Sequence, residues 1–268
     1  MFAPTALIFA SLCTISLAAV RSGKAAADWI TSSKTCEAEL PLKTGIRLAV
    51  DEGWHTYWIN PGDGGMKISV KWELPEGWTA EAPEHPVPKR FITGDLPGFG
   101  YEGTVIFPVT LTPPAGFTGE AKLKGKLSWL TCNDASCIPG NAEIELALSA
   151  GEPALTAEAK LIEASLRKIP LTPGNRISLK VVEMPKTLKL TIEGLANKKV
   201  NLAEYEVFPA TPQTIDSAAK IQFASDGTKW TAEVPKSEYA TKAIPELTLV
   251  LAGKSDQAPI SLTWKSVK

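Results

Sequence analysis

An all-β chain is predicted, two antiparallel β-sandwiches joined by one helix, and three observations predict it. Short runs of alternating apolar and polar residues recur between Cys36 and Ala150 and again after residue 174. Pro- and Gly-rich turns separate those runs, and between the two sets the apolar period lengthens once to that of a helix. With 268 residues, 44% of them hydrophobic, the chain can bury more core than one small domain needs. A formal net charge of -1 leaves no broad basic field, so neither nucleic acid nor an anionic membrane surface is expected as a partner.

The elements follow in order. Residues 6–20 (ALIFASLCTISLAAV) are apolar for about the length of a secretory h-region, and Ala25-Ala26-Ala27 offers a small-residue cleavage site. Residues 1–27 are therefore expected to be a signal peptide that exports the chain to the periplasm or bacterial envelope. Nothing later is apolar for long enough to span a bilayer, so no transmembrane domain is expected after the leader. Over 28–150 the strand-like runs are IRLAV at 46–50, KISVKWEL at 67–74, TVIFPVTL at 104–111, AKLKGKLSWLT at 121–131 and AEIELAL at 142–148. Between them NPGDGG at 60–65, LPEG at 74–77 and PPAG at 113–116 supply turns, where Pro fixes φ and Gly allows it to be positive. This is the pattern of an antiparallel sandwich. Over 151–173 Leu155, Ala159, Ile162, Leu166 and Ile169 recur at spacings of four and three, with PLTPG at 170–174 as the stop, which predicts a linker helix. Over 174–268 alternation returns in RISLKVVEM, TLKLTIEGL, KWTAEV, LTLVLAG and ISLTW, predicting a second, smaller β-sandwich.

The chain has four cysteines, and removal of a leader leaves Cys36, Cys132 and Cys137. Cys132 ends one strand-like run and Cys137 begins the next, so a hairpin brings the two within bonding range. A zinc site would need further ligands, and the chain offers only His55, His85 and Cys36, so no metal is expected. Spacing alone leaves two readings of the pair open, a structural staple and a reversible redox couple. As a staple it is weak, because closing so short a loop contributes about 2 kcal/mol.

Particular words in the sequence bear on that choice. GWHTYWINPGDGG at 53–65, LPEG at 74–77, GYEG at 100–103 running into FPV at 107–109, WLTC at 129–132 and CIP at 137–139 occur in this order. Together they resemble the N-terminal periplasmic domain of the DsbD and ScsB thiol:disulfide interchange reductases, specifically over about residues 35–150 and more weakly through AEYEVFP at 203–209. The resemblance implies an immunoglobulin-like sandwich whose redox pair is Cys132 and Cys137. It implies a cap loop over residues 93–101, with Trp54, Tyr57, Phe99 and Tyr101 shielding the sulfurs. Thioredoxin-like redox proteins are the implied partners, and no metal or organic cofactor is needed. The chain carries no segment resembling the family's multi-helix membrane domain, so a separate membrane electron-transfer protein is also expected. One word departs from the family pattern, His85-Pro86-Val87-Pro88 standing where Trp-Pro-x-Pro is usual. Asp134 raises rather than lowers a neighbouring thiol's pKa, so modest intrinsic reactivity is expected. The rival is an exported binding module that keeps the bond as structure.

Overall fold

The alternating runs become strands wherever one face can be buried, and the computed structural model describes them over residues 19–174, 177–195, 200–254 and 257–266. In chain order the first half forms β1 (Val20–Ser22), β2 (Ala25–Thr31), β3 (Thr35–Cys36), β4 (Leu42–Val50), β5 (His55–Gly62) and β6 (Ser69–Glu73). It continues with β7 (Thr79–Ala80), β8 (Lys89–Thr93), β9 (Leu96–Glu102), β10 (Thr104–Thr112), β11 (Glu120–Cys132) and β12 (Cys137–Ala150). One sheet runs β1-β2-β4-β10-β7, and the other runs β3-β12-β11-β5-β9-β8 with β6 also paired to β11. Their inner faces meet over Ile46, Leu48, Phe107, Leu111, Leu123, Leu127 and Trp129, all at most 2% exposed. Along β11 the odd-numbered residues from Ala121 to Trp129 are buried, while 120, 122 and 126 are exposed, the period-two signature of a sheet with one wet face.

One expectation changes, and the boundary expected at residue 27 falls within a strand. Ala25 and Ala27, placed at the expected cleavage site, are fully buried in β2 and pair with Val50 and Leu48 of β4. A boundary after Ala27 would cut through a strand with neighbours on both sides. Most of the apolar run at 6–20 lies outside the described residues. The helix is also shorter than the apolar spacing implies: α1 spans Ala159–Leu166, not 151–173. Leu155 is instead 77% exposed and bridges to Ser33, because the backbone of Ser32 and Lys34 offers an edge to which Thr156 and Ala154 bond. The helix lies on the first sandwich: Ile162 is 1% exposed and Ser165 Oγ donates to Ile106 O at 2.6 Å.

The second sandwich comprises β13 (Ser178–Glu183), β14 (Thr187–Glu193), β15 (Glu206–Pro209), β16 (Ala224–Ser225), β17 (Trp230–Pro235), β18 (Glu246–Ala252) and β19 (Ile260–Lys265). Its sheets run β13-β14-β17-β16 and β15-β18-β19, and their facing residues, among them Leu188, Leu190, Leu247 and Leu249, form a core of their own. Phe208 and Val250 leave that core and join the first, where Phe208 meets Trp58 and Phe99 edge-on at 6.1 and 5.9 Å. Two polar clasps flank this contact. Asn60 Nδ2 donates to Pro209 O at 2.8 Å. Arg90, between the rings of Phe99 and Phe208, donates to Val207 O at 3.0 Å and Ser217 O at 3.1 Å.

Candidate redox site

β11 and β12 pair along their whole length, from Glu120 with Ser149 to Cys132 with Cys137, and so deliver the two cysteines opposite each other. They are bonded, with S–S 2.03 Å and Cα–Cα 4.1 Å. The turn between them is closed without the bond. Asn133 Oδ1 accepts from Ala135 N at 3.0 Å and Ser136 N at 2.8 Å, and Asn133 N donates to Ser136 O at 2.9 Å. An Asx-type turn of this kind is a local solution for Asn, which makes the sequence NDAS a stop between two strands.

The two sulfurs sit in different environments. Cys137 is exposed, at the end of a strand whose outer side bears Pro139, a residue with no amide hydrogen to donate to another strand. Cys132 is fully buried, although strand alternation assigns it to the outer face with Leu130. An outward position that is dry has to be covered. The register places His55 of β5 directly opposite Cys132, so the two side chains share that face at a Cβ separation of about 5 Å.

His55 is the centre of an aromatic cluster on this outer face. Its ring lies 3.9 Å from that of Phe91 and 5.4 Å from that of Tyr57, and Phe91 lies 5.6 Å from Tyr57. Phe91 can lie flat here because the two residues beneath it are glycines: a Cβ at Gly98 would approach its ring to 2.6 Å and one at Gly100 to 2.9 Å. Thr93, at the tip of the β8–β9 hairpin, places Oγ1 2.9 Å from His55 Nε2. Burial lowers the pKa of His55, against smaller opposing effects from Glu102 and Asp134. Burial raises that of Tyr57, partly offset by Thr93. The hairpin carries Ile92 and Leu96 on its solvent side, 64% and 49% exposed.

Of the shielding residues expected from the sequence, Tyr57 belongs to this cluster. Trp54 precedes β5 and sits half-buried beneath Lys24, whose Nζ is 5.5 Å from its ring. Phe99 and Tyr101 lie on the opposite, inner face: Phe99 packs on Trp58 and Phe208, and Tyr101 donates to Pro86 O at 2.7 Å. Strand alternation separates them from the sulfurs, since Tyr101 pairs with Thr56 while Glu102 pairs with His55. His55 and Phe91 are the residues of the site that sequence reasoning missed. The signal was present in the alternation of H-T-Y-W, which sets His55 and Tyr57 on one face and Thr56 and Trp58 on the other. Cys36 is a free buried thiol whose pKa is raised by burial. Among the described residues no group of three or more His, Cys, Asp or Glu is arranged to hold a metal, and no helix is long and apolar enough to cross a membrane.

Chemically, this geometry offers the Cys137 sulfur to an attacking thiolate and leaves that of Cys132 buried. Residues 32–149, which include both cysteines and the hairpin, match the family model described as thiol:disulfide interchange protein DsbD, N-terminal. Among solved structures, the N-terminal periplasmic domain of ScsB from Proteus mirabilis superposes with a TM-score of 0.64 at 20% identity, covering 90% of this chain and 91% of that one. That superposition shows a shared fold through both sandwiches. An endo-fucoidan hydrolase from glycoside hydrolase family 107 aligns at 12% identity over 82% of this chain and 33% of that one, with a TM-score of 0.17. No curated protein matches.

Proposed function

We propose that this chain, whose residues 32–149 belong to the DsbD N-terminal family, is a periplasmic thiol–disulfide exchange module that relays electrons through Cys132 and Cys137. One observation carries the reading: the bond joins an exposed sulfur to a buried one, and His55, which lies across the ladder from the buried sulfur, is covered by Thr93 and Phe91 of the β8–β9 hairpin. A staple has no use for that asymmetry. Nor does the hairpin need a staple, because the ladder and the Asn133 turn already close it.

In the accepting direction, a thiolate of a thioredoxin-like partner attacks Cys137 Sγ. The Cys132–Cys137 bond breaks, its electron pair goes to Cys132 Sγ, and a mixed disulfide forms between Cys137 and the partner. The partner's second thiol, as thiolate, attacks its own sulfur in that mixed disulfide and releases Cys137. Two electrons have then moved to the pair, and the partner leaves as a disulfide. The donating direction is the reverse, toward exported oxidoreductases or client proteins. The rival reading, an exported binding module with a structural bond, predicts no exchange at all.

The test is to incubate the oxidised full chain with a reduced thioredoxin-like protein, quench with acid, alkylate and map the thiols. Labelled Cys132 and Cys137 support the relay. A pair that stays oxidised while a control relay domain is reduced in parallel assigns the bond to structure.

A further inference from the structure

We propose that His55 handles the proton of the Cys132 sulfur, and that the β8–β9 hairpin switches this role off while it is closed. The proposal rests on the exchange reading above and assigns a group to its proton step. Cys132 leaves as a thiolate when Cys137 is attacked, and it does so inside a buried, outward-facing position where an uncompensated charge is costly. The residue directly across the ladder is His55. No lysine or arginine lies in the loop between the two cysteines, whose four residues are Asn133, Asp134, Ala135 and Ser136. The imidazole is the cationic group the local register can supply.

With the hairpin shut, His55 cannot serve. Thr93 Oγ1 occupies the neighbourhood of Nε2 at 2.9 Å, and Phe91 covers the ring at 3.9 Å. The ring is held dry, which favours its neutral form. When a partner lifts the hairpin, the same ring is hydrated and faces two carboxylates, Glu102 paired with it on β9 and Asp134 in the cysteine turn. Both favour the imidazolium. The other charged group nearby, Lys89 at the start of β8, is engaged by Glu102 at 3.4 Å. The imidazolium then gives its proton to Cys132 Sγ as the sulfur–sulfur bond breaks, leaving a thiol and a neutral ring. In the donating direction neutral His55 takes that proton back, regenerating the Cys132 thiolate that displaces the partner from Cys137. Opening and proton supply are thereby one event.

The experiment measures reduction of the oxidised full chain by dithiothreitol between pH 5.5 and 8, with each rate divided by the concentration of dithiothreitol thiolate. The small thiol keeps the test independent of any protein partner, so failure of the relay reading does not obscure it. For the native chain the normalised rate should rise about tenfold as pH falls across the histidine range. His55→Gln should make the profile flat, and Thr93→Val should raise the rate at every pH while keeping the slope. A second readout needs no substitution at His55. The chain has two histidines, so two imidazole resonances can be followed, and in reduced protein the His55 resonance should shift again at the pH where Cys132 loses its proton, since coupling between two sites is reciprocal. A slope retained by folded His55→Gln, or a His55 resonance that does not respond as reduced Cys132 ionises, overturns the proposal.

Discussion

Removing the Arg90 side chain should separate the two sandwiches before it unfolds either. Arg90 and Phe91 are neighbours in β8, and alternation sends one to the second sandwich and the other onto His55. The side chain is 19% exposed, and its guanidinium donates to Val207 O and Ser217 O and lies 5.0 and 5.3 Å from the rings of Phe99 and Phe208. Hydrogen bonds from a charged donor contribute about 1.5 kcal/mol or more each, and each cation–π contact about 0.5–1 kcal/mol. The ion pair with Glu206 adds little, because that carboxylate is 57% exposed. These effects share one side chain and overlap, so Arg90→Ala should destabilise the chain by about 3 kcal/mol, a fall in melting temperature of about 6–12 °C. Arg90→Lys should recover less than half of it, since an ammonium cannot bridge two carbonyls while stacking between rings. Calorimetry should show one transition for the native chain and a broadened or split one for Arg90→Ala as the sandwiches uncouple. A loss below about 1 kcal/mol with one sharp transition would refute the clasp.

Other outcomes follow from the same geometry. Cys132→Ser, which leaves the exposed Cys137, should trap a covalent complex with a thioredoxin-like partner, whereas Cys137→Ser should not; trapping by the second variant alone would reverse the order of attack. Phe91→Ala should accelerate alkylation of reduced Cys132 by roughly tenfold, as removal of a half-buried ring costs the closed hairpin about 1.4 kcal/mol, and an unchanged rate in folded protein would remove Phe91 from the lid. His85 has its pKa lowered to about 4 by burial and by Lys67, so its neutral form is favoured in the folded state. The unfolded chain binds that proton from about pH 6.5 downward, so stability should fall by about 3 kcal/mol between pH 6.5 and 4, and His85→Gln should lose this component in a matched urea series.

The alternation in β4, β10, β11 and β12 made the first sandwich legible, because each of those strands buries every second residue. β2 escaped notice because its small residues, Ala25-Ala26-Ala27, read equally as a cleavage site, and only pairing with β4 decides for a strand. The helix came out short because Leu155 and Ile169 kept helical spacing by chance, while backbone bonds to Ser32 and Lys34 held residues 154–156 extended. The cysteine pair was legible from WLTC and CIP. Its cover was not: Phe91 lies outside the 93–101 stretch, and its place depends on the absence of side chains at Gly98 and Gly100, a condition set across two strands. Phe99 and Tyr101 were expected to shield the sulfurs because the family resemblance set the cap over 93–101, and they fill the core instead.

The reduction potential of the Cys132–Cys137 bond tests the central claim most directly. Equilibrating the full chain with thioredoxin across a set of poised thiol–disulfide ratios, then counting free Cys132 and Cys137, gives the value. A relay that both accepts and donates electrons should lie above about -300 mV, and a value well below that level would mark the bond as a structural staple and contradict the account.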